Sequence, residues 1–355
     1  MNQFNVGILG ATGAVGQKFV RLLKEHPWFT IRKLGASERS ADQKYWEAVN
    51  WIEDVPLPQD IADIDVNRCE PDAFEEVDFV FSGLDSSVAS EIEQNFAQSG
   101  IPVISNAKNY RMDDTVPLLI PEINPDHINL IRSQTFTEDH SGWIVTNPNC
   151  VCIPLTMALK PVYDQFGLEA VNLTSLQAVS GAGYPGVSSM DILGNVIPFI
   201  NGEEGKIHLE PLKLLGKINE ANSIDYAKFP IQATATRVPT INGHLLSITA
   251  KLSDMPSDIQ EVKQAIRNWQ SPIAELGLPT APANPIKLFE NDYYPQPRLH
   301  ATTDNGMQLS MGRLRNSRVF DISFVALAHN TIRGAAGGAV LNAELLVKKG
   351  YLNNT

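Results

Sequence analysis

The apolar positions of the chain change their period within the first 25 residues. Phe4 to Leu9 is a short, mostly apolar stretch that predicts a buried strand, and from Ala14 onward apolar residues recur at helical spacing. Further strands are predicted over 29–36, 77–84, 101–107 and 142–150, and a helix over 86–100. Repeated β-α-β units with apolar strands predict a doubly wound, mostly parallel sheet.

The second half of the chain has a different pattern. Long alternating strands are predicted in "LEAVNLTSLQAVSG" (168–181), "LLSITAKL" (245–252) and "RVFDISFVALAHN" (318–330). They indicate a mixed or antiparallel sheet. The sequence therefore predicts a two-domain α/β protein: residues 1–149 form the first domain, residues 150–330 form an α+β domain, and a small-residue-rich helix over 331–355 returns to complete the first domain.

A glycine-rich turn joins the first predicted strand to the first predicted helix. Its sequence is Gly10-Ala-Thr-Gly13-Ala-Val-Gly16. Gly10 permits the tight turn, Gly13 lets a phosphate approach the backbone, and Gly16 lets the helix pack close to the strand. Because the N–H groups at a helix start favour an anion, we predict a Rossmann-type dinucleotide site. Its predicted contacts are Gly10, Thr12, Gly13, Ala14 and Val15. A glycine-rich turn without a ligand is the alternative.

The end of the second predicted strand bears on which dinucleotide fits. An acidic group there binds the ribose 2′-hydroxyl of NAD, whereas basic and hydroxyl groups accept the 2′-phosphate of NADP. The residues present are Ser37, Glu38, Arg39 and Ser40. The arginine and the two serines favour NADP as the cofactor. Glu38 leaves two possibilities open, since it either points outward or indicates NAD.

Composition narrows the class of protein further. The 355 residues are 43% hydrophobic and 19% charged, which is typical of a globular chain with room for two domains. A net charge of −12 argues against a nucleic-acid partner. No apolar run reaches the roughly 18 residues of a membrane-spanning helix, and no secretion signal is predicted. Three cysteines make no disulfide framework, so we expect a protein of the reducing cytoplasm. Because no apolar run is long enough to span a membrane, we expect no membrane partner.

Two of the three cysteines lie in "TNPNCVCIP" (146–154). Cys150 and Cys152 are too close together for the usual metal clip, so no metal site is predicted. A helix predicted over 152–167 places Cys150 at its start, where a thiolate is stabilised and the pKa of the thiol is lowered. Cys150 is therefore a candidate nucleophile, and Cys152, on another face of the helix, is a candidate core residue. The alternative is that both are structural.

A reactive thiol beside a nicotinamide indicates a reaction class. The thiolate adds to an aldehyde, hydride transfer leaves a thioester, and the chemistry needs a proton acceptor. His244 is the candidate acceptor, because it lies between a Pro/Gly turn and an alternating strand. A purely structural histidine is the alternative at this position.

Seven separated stretches along nearly the whole chain form one set: "GILGATGAVGQ", "VISNAKNYRM", "TNPNC", "SLQAVSGAGYPG", "NVIPFINGEEGKIHLE", "RVPTINGH" and "GAAGGAVLNAELL". In their residues and their order they resemble the aspartate-β-semialdehyde dehydrogenase family, most closely its archaeal and fungal branch. The resemblance implies that Cys150 is the nucleophile and His244 the general acid/base. It further implies that Gln177 helps to orient the acyl intermediate, a task that suits an amide because it both donates and accepts.

The same resemblance implies the remaining roles. Arg237 grips the substrate carboxylate, and Glu203 pairs with the substrate amino group, with Glu204 as the alternative. The groups implied to hold phosphate are Lys206, Arg111 and Asn149. The implied contacts on the nicotinamide side of the cofactor are Gly181, Gly337, Gly338 and Asn342.

The implied reaction is the reversible, NADP-dependent conversion of aspartate semialdehyde and inorganic phosphate to β-aspartyl phosphate, within lysine, threonine and methionine synthesis. The resemblance also implies a homodimer or homotetramer. Two rival hypotheses remain: malonyl-CoA reductase of the same family, and a non-catalytic NADP-binding sensor. Residues 125–142 are left as either a mobile loop or a contact with a partner subunit.

Overall fold

The structure, a computed structural model, describes residues 3–352. Six strands of this described chain form a fully parallel sheet in the order β3-β2-β1-β4-β5-β6. The strands are β1 (Phe4–Leu9), β2 (Phe29–Ala36), β3 (Val66–Arg68), β4 (Phe79–Ser82), β5 (Val103–Ser105) and β6 (Ile144–Thr146). The predicted doubly wound sheet is confirmed. Strands β4, β5 and β6 are shorter than the predicted ranges 77–84, 101–107 and 142–150. Backbone pairing with the neighbouring strand covers only the middle of each predicted segment.

Short helices cover this first sheet. They are α1 (Ala14–Leu23), α2 (Tyr45–Ala48), α3 (Gln59–Ala62) and α4 (Ser86–Gln98). Helix α1 buries its apolar face against the sheet, where the ring of Phe19 stacks on that of Phe81 at 4.8 Å. Each aromatic side chain of this kind removes a large apolar area from water, so the packing stabilises the position of α1 and of the turn that precedes it.

The second sheet is mixed, as the alternating pattern predicted. The strands of the second half are β7 (Ala170–Gln177), β8 (Lys217–Ile218), β9 (Ile224–Asp225), β10 (Ile231–Arg237), β11 (His244–Lys251), β12 (Ile286–Leu288), β13 (Leu309–Asn316) and β14 (Ile322–Ala328). The sheet order is β10-β7-β11-β14-β13-β12, and β8 pairs only with β9. Strand β7 runs parallel to β10 and antiparallel to β11. The last residues of β7 and β10 therefore lie beside the first residues of β11.

The helices of the second half are α5 (Cys152–Phe166), α6 (Ser189–Ile192), α7 (Glu203–Leu214), α8 (Ile259–Asn268) and α9 (Pro297–His300). Helices α5, α7 and α8 cover one face of the second sheet. Helix α5 is apolar on most sides and shares one core with β7, β10, β11 and β14. On the opposite sheet face, small polar side chains such as Asn172, Gln232 and Ser247 are exposed in the single chain.

The C-terminal helix packs against the first sheet. Residues Ile332–Ala336 form a π-helical turn, and α10 (Gly337–Lys348) follows. The helix therefore ends at Lys348 instead of running to residue 355: the N–H groups of Gly350 and Tyr351 turn back to the carbonyls of Val347 and Leu346. The division of the chain at 149/150 stays a prediction, and residues 1, 2 and 353–355 of the predicted domains lie outside the described residues.

Residues 125–134 pack against the first sheet, and most of residues 135–141 are exposed. Pro125–Ser133 form a 3₁₀ helix whose Ile128 and Ile131 join the core. The amide of Gln134 then bonds both backbone groups of Ile144, each at 2.8 Å, in the manner of a further strand beside β6. These contacts hold residues 125–134 against the sheet. Within residues 3–352, no helix is both long and apolar enough to cross a membrane.

Candidate active site

Cys150 lies in the turn between β6 and α5, opposite the first residue of β11. Its Sγ is 3.3 Å from Nε2 of His244. The turn before α10 packs directly against it, since a Cβ added at Gly334 would lie 2.8 Å from Cβ of Cys150. The thiol and the imidazole that sequence reasoning selected are therefore hydrogen-bond partners, although 94 residues separate them in the chain.

The tautomer of His244 follows from its second ring nitrogen. The backbone N–H of Ala178 donates to Nδ1 at 3.1 Å, so Nδ1 presents a lone pair and the neutral ring carries its proton on Nε2. Burial, reinforced by the positive charge of Arg237, lowers the pKa of His244 to about 3. The ring is thus neutral at ordinary pH and directs an N–H at the sulfur of Cys150.

The expected lowering of the Cys150 pKa is wrong for this structure. Burial, together with the negative charge of Glu203, raises the pKa of the Cys150 thiol to about 12, against the opposing effect of nearby cations. Helix α5 begins at Cys152, its predicted start, and Cys150 lies in the turn just before it, so the desolvation of the thiol outweighs any effect of the helix start. Cys152 is fully buried and its Sγ donates to the Lys206 carbonyl at 3.6 Å, which confirms it as a core residue.

The first turn of α7 brings Glu203 into the site. Its carboxylate accepts from the amide of Asn149 at 2.9 Å and from the amide of Gln177 at 3.3 Å. It also pairs with Lys206, one turn along the helix, at 2.9 Å. Burial favours a higher Glu203 pKa, but the charge and hydrogen bond of Lys206 outweigh it and hold the pKa below its ordinary value. Glu204 instead accepts from the backbone N–H of Ala235 at 3.0 Å, so Glu203 is the glutamate that faces Cys150.

Sheet topology explains how Gln177, Arg237 and His244 come together. Gln177 ends β7 and pairs in register with Arg237 at the end of β10, while His244 starts the antiparallel β11. Nη1 of Arg237 donates to the Ala178 carbonyl at 2.9 Å, and burial lowers the pKa of the guanidinium from its ordinary value. Gly181 lies beside them, since an added Cβ would be 2.9 Å from Arg237 and 3.0 Å from His244.

Arg111 and Asn149 both bond Glu210, a residue that the sequence analysis did not select. Nη1 of Arg111 pairs with Oε1 of Glu210 at 3.0 Å, and the backbone N–H of Asn149 donates to Oε2 at 2.7 Å. The Asn149 side chain also accepts from the N–H groups of Val151 and Cys152, and so fixes the turn that leads into α5. Glu210 follows Glu203 by two helical turns, so both lie on the same face of the helix. This spacing is the one feature of the sequence that could have identified Glu210 as a site residue.

The glycine-rich turn has the geometry expected of a dinucleotide site. Gly10 has φ of +75°, and a Cβ at Gly16 would lie 2.2 Å from the Gly10 carbonyl oxygen. Gly13 is the N-cap of α1 and no side chain caps the helix. Thr12 precedes Gly13, and Ala14 and Val15 lie in the first turn. A cavity of about 590 Å³ borders both Ala14 and Ser180 and therefore links this turn to the segment that carries Gly181.

The end of β2 presents exposed side chains. Ser37 and Arg39 are exposed and Ser40 is half-buried, whereas Glu38 points toward Arg68 with Oε1 3.6 Å from Nη1. On α10, Gly338 permits close approach, because an added Cβ would lie 2.7 Å from Oδ1 of Asn147. Asn342 is fully buried, and neither atom of its amide has a hydrogen-bond partner among residues 3–352.

Comparisons with known proteins cover nearly the whole chain. Residues 5–131 match the family model "Semialdehyde dehydrogenase, NAD binding domain", and residues 159–333 match "Semialdehyde dehydrogenase, dimerisation domain". The aspartate-semialdehyde dehydrogenase of Schizosaccharomyces pombe is 45% identical over 98% of this chain and 99% of its own length. That of Archaeoglobus fulgidus is 46% identical with the same coverage.

A solved structure gives the same result at the level of the fold. The crystal structure of aspartate-semialdehyde dehydrogenase with NADP from Candida albicans superposes with a TM-score of 0.91 at 40% identity, covering 98% of this chain and 99% of that one. The resemblance found in the sequence is thereby confirmed. The chain belongs to the aspartate-semialdehyde dehydrogenase family of oxidoreductases.

Proposed function

We propose that the protein reduces β-aspartyl phosphate to aspartate semialdehyde, reversibly and with NADP, through a thioester on Cys150. The observation that carries this proposal is the 3.3 Å contact between the Cys150 thiol and His244 Nε2–H. Arg237, Glu203 and Lys206 surround this pair with the charges that an amino-acid substrate and a phosphate require. The proposed place of the reaction is the synthesis of lysine, threonine and methionine.

The residues of the first domain fit a dinucleotide. The turn from Gly10 to Gly16 leaves the start of α1 free of side-chain caps, and Arg39 has no ion pair among residues 3–352. Glu38 is directed to Arg68, which supports the outward orientation and hence NADP over NAD. When bound, NADP supplies or accepts the hydride. The NADP complex of the Candida albicans relative supports the same choice of cofactor.

Arg237 and Glu203 are proposed to hold the two charged ends of the substrate. The guanidinium of Arg237 makes one hydrogen bond within residues 3–352, to the Ala178 carbonyl, and its other N–H groups are available for a carboxylate. Glu203, ionised because its pKa lies below the ordinary value, presents the negative charge that an ammonium group requires. Gln177 contacts Glu203 and is proposed to orient the acyl group.

The general acid/base role implied for His244 is narrowed here to that of a hydrogen-bond donor, because Nδ1 accepts from Ala178 and Nε2 carries the ring proton. The Cys150 thiol first gives its proton to water. The thiolate then attacks the acyl phosphate, the C–O bond to phosphate breaks, and phosphate departs, taking up a proton from water. Lys206, Arg111 and Asn149 are proposed to bind it. After hydride addition to the thioester, the tetrahedral oxyanion reforms a carbonyl and expels the thiolate. His244 Nε2–H donates a hydrogen bond to the oxyanion and to the departing sulfur throughout.

The proposed function is tested by following NADPH formation from L-aspartate semialdehyde and NADP⁺, with and without inorganic phosphate. Turnover that depends on phosphate is the expected result. NADPH oxidation with malonyl-CoA in place of this activity would identify the related reductase. Tight NADPH binding without turnover in either assay would identify a sensor.

Replacing Arg237 with lysine is expected to lower kcat/KM for aspartate semialdehyde by about 10- to 100-fold. An ammonium group cannot reproduce the paired N–H donors of a guanidinium, and a hydrogen bond to a charged group contributes about 1.5–3 kcal/mol. Steady-state kinetics check this. The control is Arg267→Lys, since Arg267 is a surface residue on α8 that pairs with Glu290. Equal kinetics in the two variants would remove Arg237 from the substrate site.

Replacing Arg39 with alanine is expected to lower the preference for NADPH over NADH about tenfold, because it removes a charge-assisted contact to the 2′-phosphate. The measurement is the ratio of kcat/KM for the two cofactors. Arg32→Ala is the matched control, because Arg32 is an exposed arginine on the same strand, β2, and bonds Asn5 instead. An unchanged ratio in Arg39→Ala would show that this arginine does not select the cofactor.

We also propose that the protein forms a homodimer or a homotetramer. The second family model is that of a dimerisation domain, and the exposed face of the second sheet supports pairing with a second copy. Light scattering tests this proposal, and a mass equal to one 39.0 kDa chain at micromolar concentration would contradict it.

A further inference from the structure

Helix α7 carries four charged residues along one face, and only two of them are used by the proposed function. Glu203, Lys206, Glu210 and Lys213 follow one another at spacings of three, four and three residues, which places them on one side of the helix. Glu210 and Lys213 are 2% and 0% exposed. Buried charges of this kind are costly unless each is fully paired, so their partners indicate what they are for.

Glu210 divides its carboxylate between two parts of the site. Oε1 pairs with the guanidinium of Arg111 at 3.0 Å. Oε2 accepts the backbone N–H of Asn149 at 2.7 Å, and Asn149 immediately precedes Cys150. One side chain therefore fixes the arginine proposed to bind phosphate relative to the turn that carries the nucleophile.

Lys213 fixes the backbone of the same arginine. Its Nζ donates to the carbonyls of Arg111 at 2.9 Å, Asp113 at 2.6 Å and Val116 at 2.9 Å, so three ammonium protons have partners. The segment that carries Arg111 is held at its backbone by Lys213 and at its side chain by Glu210. Arg111 Nη2 adds a third tether, to the Asn106 carbonyl at 2.7 Å.

We propose that Glu210 is a positioning residue for the phosphate step, acting through Arg111. This inference rests on the proposed function, in which Arg111 binds phosphate. Glu210 sets the direction of the guanidinium and its distance from Cys150, so its loss weakens the use of phosphate more than the binding of aspartate semialdehyde or NADP⁺. A carboxylate with a merely structural role affects all three substrates alike.

The test is Glu210→Gln in the full-length protein. The amide still accepts from the Asn149 N–H but no longer forms an ion pair with Arg111, so KM for phosphate is expected to rise about tenfold or more. KM for aspartate semialdehyde and for NADP⁺ is expected to stay within about twofold. Glu204→Gln is the matched control on the same helix, because Glu204 bonds only the Ala235 backbone within residues 3–352. It is expected to leave all three KM values unchanged.

A double-variant cycle tests whether the effect passes through Arg111. Once Arg111→Gln has raised KM for phosphate, adding Glu210→Gln is expected to change it by less than about twofold. Independent, multiplying effects would overturn the positioning role. If Glu210→Gln does not fold, Glu210→Asp takes its place, with a smaller rise expected because the charge remains on a shorter side chain.

The outcomes separate the two proposals. Phosphate-dependent turnover in the unmodified protein, with an unchanged phosphate KM in the Glu210 variants, would overturn the positioning role alone. A parallel rise in all three KM values would likewise identify a structural ion pair. Absence of phosphate-dependent turnover in the unmodified protein would overturn the proposed function and this inference together.

Discussion

Cys150→Ser is expected to lower phosphate-dependent NADPH formation by at least about a thousandfold and to leave NADPH affinity within about twofold of its original value. A hydroxyl is a far weaker acid than a thiol, and His244, the ring in contact with this position, is not a base for it. His244 accepts the Ala178 N–H on Nδ1 and already carries a proton on Nε2, so it cannot take the serine proton. Steady-state kinetics and a fluorescence titration with NADPH measure the two quantities.

Cys152→Ala is the matched control for this variant. Cys152 lies two residues away, but it is buried in the core and bonds the Lys206 carbonyl. Its replacement is expected to lower the free energy of unfolding by about 1–2 kcal/mol through a small cavity, with turnover changed by less than a few fold. Turnover retained by Cys150→Ser, or NADPH binding lost with it, would remove Cys150 from the role of nucleophile.

Periodicity predicted the elements that carry the strongest local signals. The strand over 29–36 has its predicted bounds in the structure, because its apolar residues end at a turn. The turn from Gly10 to Gly16 has its predicted geometry because glycine there meets a local steric requirement. The start of the last helix was not predictable in the same way, since the π-helical turn at Ile332–Ala336 packs its Gly334 against Cys150, a tertiary contact.

The burial of the charged groups in the site could not be predicted from the sequence. Glu210 and Lys213 lie three residues apart on a helix, a spacing that is common for solvated surface pairs and gives no sign of burial. Only the fold shows that both are buried and bonded to the segment that carries Arg111. The pKa of Cys150 was mispredicted for the same reason: helix position is a local property, whereas desolvation depends on the packing of α7, β11 and the turn before α10.

Substitutions of His244 should distinguish a hydrogen-bond donor from a base. His244→Ala is expected to lower kcat by about a hundredfold or more, because the oxyanion and the departing thiolate lose the Nε2–H donor. His244→Gln is expected to keep at least tenfold more activity than His244→Ala, since a glutamine amide donates near the Nε2 position but cannot accept a proton at neutral pH. His208→Gln, on α7 and bonded to the Ala233 N–H, is the control and should leave kcat unchanged.

The pH dependence gives an independent test of the same assignment. The pKa of His244 is lowered to about 3 by burial, so its titration lies below the working range and adds no inflection between about pH 5.5 and 8. The pKa of the Cys150 thiol is raised to about 12, so its ionised fraction increases with pH across that range. We therefore expect kcat/KM to rise toward alkaline pH, and to do so equally in the unmodified protein and in His244→Gln.

Two results would contradict this role for His244. If His244→Gln is as inactive as His244→Ala, the ring must move a proton. Glutamine keeps a hydrogen-bond donor, but it has no ring nitrogen that can accept and release a proton. If the unmodified protein shows an inflection near pH 6.5 that His244→Gln abolishes, the imidazolium is populated and Nδ1 is not committed to the Ala178 N–H. Nitrogen NMR of His244 decides between these states directly, since a protonated Nε2 beside an unprotonated Nδ1 is the tautomer that the hydrogen bond from Ala178 requires.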